Sequence, residues 1–189
     1  MTLANFFTLL RVLLIPVFMT VYYLPFPGHQ LVASAIFLFA SITDWLDGYV
    51  ARRLNQCSRF GAFLDPVADK VLVAITLVML GASYASPWYI IPAAIMVARE
   101  IMISALREWM AELRQRDTVK VGMVGKVKTT VQMMALIVLL ATDSEGPKII
   151  WGTGYFLINI AAVLTLWSMC VYLRAAWPQL KRGLDVETK

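Results

Sequence analysis

The chain has 189 residues, 60% of them hydrophobic, with a mean hydropathy of +0.70; a soluble domain averages about 45–50% apolar residues, so the composition points to a single membrane domain. The net charge of +5 suits anionic lipid or nucleic acid, but no basic run with interleaved aromatics marks a nucleic-acid surface, so no nucleic-acid partner is expected. Cys57 and Cys170 are too few for a disulfide framework or a zinc site and are expected to be free thiols.

In chain order, six segments are long and apolar enough to be read as membrane helices, which need about 20 mainly apolar residues. They cover 5–24, 31–53, 60–81, 87–106, 126–142 and 149–173. No Lys or Arg precedes the first run, so it reads as a retained helix and not a signal peptide. Turn residues break the pattern at Pro25-Phe26-Pro27-Gly28, where His29 is expected as a solvated loop residue. Breaks also fall between Gly81 and Pro87 and between Asp143 and Pro147. The stretch 117–124 reads as a linker. Residues 1–175 form one six-helix membrane domain and 176–189 a polar tail.

Lys and Arg set the orientation. Sixteen of the seventeen fall toward one face, and only Lys148 falls toward the other. That predicts both termini in the cytoplasm. Tyr22, Tyr23, Tyr84, Trp88, Tyr89 and Trp151 fall at the opposite face, where an interfacial aromatic belt is expected.

Chemistry concentrates in helices two and three. An ionisable residue inside the bilayer is costly and marks a functional site by default. Asp44 and Asp47 are three apart on helix two; Asp65 and Asp69 are four apart on helix three, so each pair shares a helix face. A short connection makes these helices antiparallel neighbours and brings all four carboxylates to a similar depth. Four like charges in a low-dielectric space need cations. Hard oxygen donors favour Mg²⁺, Mn²⁺ or Ca²⁺ over zinc, and two ions would suit phosphoryl chemistry. Gly48 and Gly61 leave room for a ligand near the backbone or, equally, for close helix packing.

The run Asp44-Trp45-Leu46-Asp47-Gly48-Tyr49-Val50-Ala51-Arg52, followed by Gly61, Asp65 and Asp69, resembles the signature of the CDP-alcohol phosphotransferase family at every defining position. Asn5, Thr8, Arg11 and Pro16, with 99–112 (REIMISALREWMAE) and 125–132 (GKVKTTVQ), resemble the branch that uses glycerol 3-phosphate. The resemblance implies two divalent ions, Mg²⁺ or Mn²⁺, held by Asp44, Asp47, Asp65 and Asp69. It makes Asp69 also the general base. It places CDP-diacylglycerol against Asp44, Gly48, Ala51, Arg52 and Gly61, and it implies a homodimer in the inner membrane.

A phosphorylated acceptor needs an anion pocket. Arg107, Lys126 and Lys128, with Arg11 and Thr8, are the candidates, the alternative being ordinary positive-inside residues. Glu100 and Glu108 are placed to pair with Arg99 and Arg107. Another acceptor, such as inositol, inositol phosphate or serine, would keep the same aspartates. A cation or proton transporter would also carry intramembrane carboxylates, but such proteins often show repeated halves, and no repeat is visible here.

Overall fold

The computed structural model describes residues 3–54, 59–112, 123–142 and 147–185; within them, the side chains of 3–8, 44–54, 59–63, 65, 112, 123–126, 179, 180 and 182–185 fall outside the description. Six helices make up the described chain: α1 Leu3–Tyr23, α2 His29–Leu54, α3 Arg59–Tyr84, α4 Pro87–Glu112, α5 Met123–Leu140 and α6 Lys148–Asp185. Their order matches the six segments expected from sequence. α6 is longer than expected and runs ten residues into the stretch read as a tail, where Ala176 is fully buried. The linker 117–124 and Cys57 fall wholly or largely outside the described residues; Cys170 is a free, exposed thiol.

The helices alternate in direction, as hydrogen bonds between their ends establish. The Tyr22 hydroxyl, at the end of α1, donates to Ser83 Oγ at the end of α3 (2.8 Å). The Tyr84 hydroxyl at the end of α3 lies 3.0 Å from the Leu139 carbonyl and 3.1 Å from that of Thr142, at the end of α5. Ser34, early in α2, donates to the carbonyl of Ile137, late in α5 (3.0 Å). Contacts from α4 to α6 run in register along both chains, from Asn159 with Trp88 to Arg99 with Ser168 and Arg107 with Tyr172. The first and last described residues therefore leave from the same end of the bundle.

The core is a continuous apolar cluster drawn from all six helices, with Phe18, Phe37, Leu72, Leu80, Met96, Leu136, Leu139 and Ile158 fully buried. Large apolar side chains also point outward from every helix, including Leu13, Phe39, Val78, Ile101, Met134, Phe156 and Trp167. Helices apolar on their outer faces as well as inside belong in lipid. Among the described residues, three helical stretches, Pro66–Tyr84, Pro87–Ala111 and Lys148–Pro178, are long and apolar enough to cross a membrane. The described parts of α1, α2 and α5 add the apolar stretches Leu9–Tyr23, His29–Thr43 and Val127–Leu140.

Hydroxyls inside these helices satisfy themselves locally, by donating to the carbonyl four residues back. Thr76, Thr142 and Thr165 do so at 2.6–2.8 Å. Pro92 in α4 has no N–H, which strips the Trp88 carbonyl of its helical partner. Asn159 of α6 fills that place, its Nδ2 donating to Trp88 O at 3.2 Å. A neighbouring helix thus repairs a proline defect, as lipid surroundings require. Close approach is also built in at Gly154 on α6, where an added Cβ would sit 2.6 Å from Leu139 Cγ and Cδ2.

Two expectations change. His29 is no solvated loop residue: it opens α2, is half-buried, and its Nδ1 donates to the Tyr22 carbonyl at 2.8 Å. The turn before it is made by Gly28 at φ +81°, a backbone setting glycine adopts without strain. The aromatic belt is divided as well. Tyr23 and Trp88 are exposed, but Tyr22 and Tyr89 are buried, and Tyr84, Tyr89, Tyr155 and Trp151 pack ring against ring between helix ends.

Candidate active site

At the end of the bundle opposite those rings, α3, α4, α5 and α6 enclose a cavity of about 300 Å³. α3 contributes Pro66, Asp69, Lys70 and Val73; α4 contributes Arg99, Glu100 and Arg107; α5 contributes Lys128, Thr129, Gln132 and Met133; α6 contributes Tyr172. Helical spacing explains the set. Glu100 and Arg107 are two turns apart on one face of α4, and Lys128 and Gln132 one turn apart on α5.

The charges are organised around one carboxylate. Glu100 Oε1 accepts from Arg99 Nη1 at 2.7 Å and from Lys128 Nζ at 2.9 Å. Lys128 and Arg99 are 3% and 8% exposed in their side chains, so each cation needs such a partner. Arg99 Nη2 also donates to Ser168 Oγ at 3.2 Å, while its Nε is buried without a protein acceptor. Arg107 is exposed and, among the described residues, bonds to no carboxylate; its Nη2 donates to the Tyr172 hydroxyl at 3.1 Å. Lys70 Nζ donates to Ser104 Oγ. The described lining thus holds four cations, Lys70, Arg99, Arg107 and Lys128, against two carboxylates, Asp69 and Glu100. Such a pocket is built for an anion.

Of the residues singled out from sequence, Asp69, Arg107 and Lys128 come together on this wall. Arg11 is buried in α1, outside the lining. The side chains of Asp44, Asp47, Gly48, Ala51, Arg52, Gly61, Asp65, Lys126 and Thr8 lie outside the described residues. Their backbone places Asp44 to Arg52 in the last third of α2 and Gly61 and Asp65 in the first two turns of α3, leading directly to Asp69. Among described residues alone, no group of three metal-binding side chains forms. The expected Arg99–Glu100 pair is present, whereas Arg107 turns to Tyr172 and not to Glu108.

Sequence reasoning missed the role of Glu100 as a hub, and it missed Lys70, Gln132 and Tyr172. Lys70 adjoins Asp69 and Gln132 closes the 125–132 motif, so both carried a signal. Tyr172 sits in an apolar run and carried none. A second, apolar cavity of about 420 Å³ lies between α3 and α4. It shares Lys70, Val73 and Glu100 with the first, so a polar and an apolar space adjoin.

A family model described as CDP-alcohol phosphatidyltransferase matches residues 1–170. The chain is 57% identical over 169 residues to a CDP-diacylglycerol--glycerol-3-phosphate 3-phosphatidyltransferase of Pectobacterium atrosepticum, covering 89% of this chain and 91% of that protein. It is 58% identical over 171 residues to the protein of the same name from Salmonella typhimurium, with the same shares covered. With its Yersinia pestis namesake it shares 52% identity over 180 residues, covering 95% and 97%.

Proposed function

The chain belongs to the CDP-alcohol phosphatidyltransferase family, and from that premise we propose that it transfers the phosphatidyl group of CDP-diacylglycerol to sn-glycerol 3-phosphate, releasing CMP and forming phosphatidylglycerophosphate. The observation that carries the reading is the cavity whose lining brings Asp69 together with Arg99, Arg107 and Lys128. An acid that can take a proton shares that lining with cations that can hold a phosphate.

The acceptor hydroxyl oxygen attacks the β-phosphorus of the donor. Its bond to phosphorus forms as the bond to the CMP oxygen breaks. The hydroxyl proton passes to the Asp69 carboxylate, whose place beside the acceptor makes it the general base. Arg52 stabilises charge on the phosphoryl oxygens, and Asp44, Gly48, Ala51 and Gly61 hold the CDP moiety. Arg107 and Lys128, with Lys126 and Thr8, grip the acceptor phosphate. The lipid tails of the donor have an apolar space adjoining the polar one.

The donor set fits a hard divalent cation: four carboxylates, one of them on the cavity wall and the other three on backbone leading to it. Asp44, Asp47, Asp65 and Asp69 would hold two Mg²⁺ or Mn²⁺ ions. When bound, such ions neutralise the carboxylates and draw charge from the diphosphate.

All six helices span the bacterial inner membrane, with both ends and the cavity on the cytoplasmic side, and the protein works as a homodimer. The basic residues and the alternating helix directions support this orientation. CMP release by the purified protein, with glycerol 3-phosphate, inositol phosphate, inositol and serine supplied separately, tests the reading. Release with glycerol 3-phosphate alone, abolished by EDTA, is expected. Release with another acceptor corrects the branch, and no release with any refutes the activity.

A further inference from the structure

Arg107 differs from the other cations of the cavity in how it is held. Arg99 and Lys128 spend charge on Glu100. Arg107 is held by a neutral group, the Tyr172 hydroxyl, at 3.1 Å, and its guanidinium carbon lies 5.5 Å from the centre of the same ring. Arg99 approaches that ring too, at 5.8 Å. Tyr172 is itself only 6% exposed, a fixed platform, while Arg107 is open to the cavity. A hydroxyl oxygen and a ring face orient a guanidinium while leaving its full charge available. A carboxylate in that place would orient and neutralise it together.

We propose that Tyr172 is a positioning residue for the acceptor: it aims the Arg107 guanidinium into the cavity without neutralising it, and so sets the preference for a phosphorylated over an unphosphorylated alcohol. The proposal rests on the reading of Arg107 as a phosphate ligand.

The test uses the full chain in detergent with CDP-diacylglycerol, comparing the parent, Tyr172→Phe, Arg107→Ala and the double variant. Tyr172→Phe keeps the buried ring and removes only the oxygen. It is expected to raise KM for glycerol 3-phosphate roughly three- to tenfold, with kcat and the KM for CDP-diacylglycerol unchanged. In the Arg107→Ala background the same substitution should add nothing, because the group it positions is gone. A purely structural role would move both substrates together and would persist in that background; either result overturns the proposal. A raised acceptor KM in Arg107→Ala with none in Tyr172→Phe overturns the role of Tyr172 alone. An unchanged acceptor KM in Arg107→Ala overturns the phosphate reading beneath it and the proposal with it.

Discussion

The two ends of the bundle handle buried polarity in opposite ways. Where α1, α3 and α5 finish, the buried tyrosine hydroxyls close on the protein itself. Tyr84 and Tyr89 donate to main-chain carbonyls, and Tyr22 donates to Ser83. Where α2, α4 and α6 finish, the polar groups are ions, and their charges do not cancel within the described lining. The first end is a fastening that needs nothing further. Within the described lining the second end carries an excess of positive charge, which suits a phosphate-bearing substrate.

Four substitutions break or sharpen that contrast. The largest effect is expected from Asp69→Asn at the ionic end: turnover should fall by roughly 10²–10⁴, the usual share of a general base, with the thermal midpoint unchanged. Near-normal CMP release would remove Asp69 as the base. Glu100→Gln should cost about 1–3 kcal/mol of stability, because Arg99 and Lys128 lose the charge between them. It should also raise the acceptor KM, and a denaturant titration beside an acceptor titration checks both.

At the other end the effects should be on stability alone. Gly154→Ala places a methyl carbon against the fully buried Leu139 and should cost about 1–3 kcal/mol, with KM unchanged for both substrates. Tyr84→Phe removes one hydroxyl from the fastening and should cost about 1 kcal/mol, with activity retained. A changed acceptor KM in Tyr84→Phe would mean that the two ends are coupled and the contrast is false.

Much of this was legible in the sequence, for identifiable reasons. Apolar runs of membrane length between turn residues located six helices to within a few residues at most ends. A charge inside such a run is so costly that Asp69 stood out, while Arg107 and Lys128 were candidates only because a phosphorylated acceptor needs cations. Pairing across helices was less legible. Lys128 looked like one more basic residue near a helix end, yet it is buried and bonded to Glu100, 28 positions earlier. Tyr172 looked like any aromatic in an apolar stretch, and only the packing of α6 beside α4 gives it Arg107. Tyr22 and Tyr89 looked interfacial because composition cannot distinguish a ring facing lipid from one facing a neighbouring helix. The far end of α6 was missed because its polarity suggested a tail, whereas Trp177 and Pro178 still lie within one helix.

That helix has a metrical consequence. Thirty-eight residues at about 1.5 Å each make α6 roughly 57 Å long, against a hydrocarbon thickness of about 30 Å. At the tilts of up to about 40° that membrane helices adopt, the hydrocarbon takes up at most about 39 Å of it, so roughly a third of the helix or more stands outside as a rod. Pro178 interrupts its bonding near the outer end, the natural place for a bend. Spin labels at the exposed positions Ile149 and Lys181 would read about 48 Å if the rod is straight and less if it bends, so this one helix can serve as a ruler for the protein's seat in its bilayer.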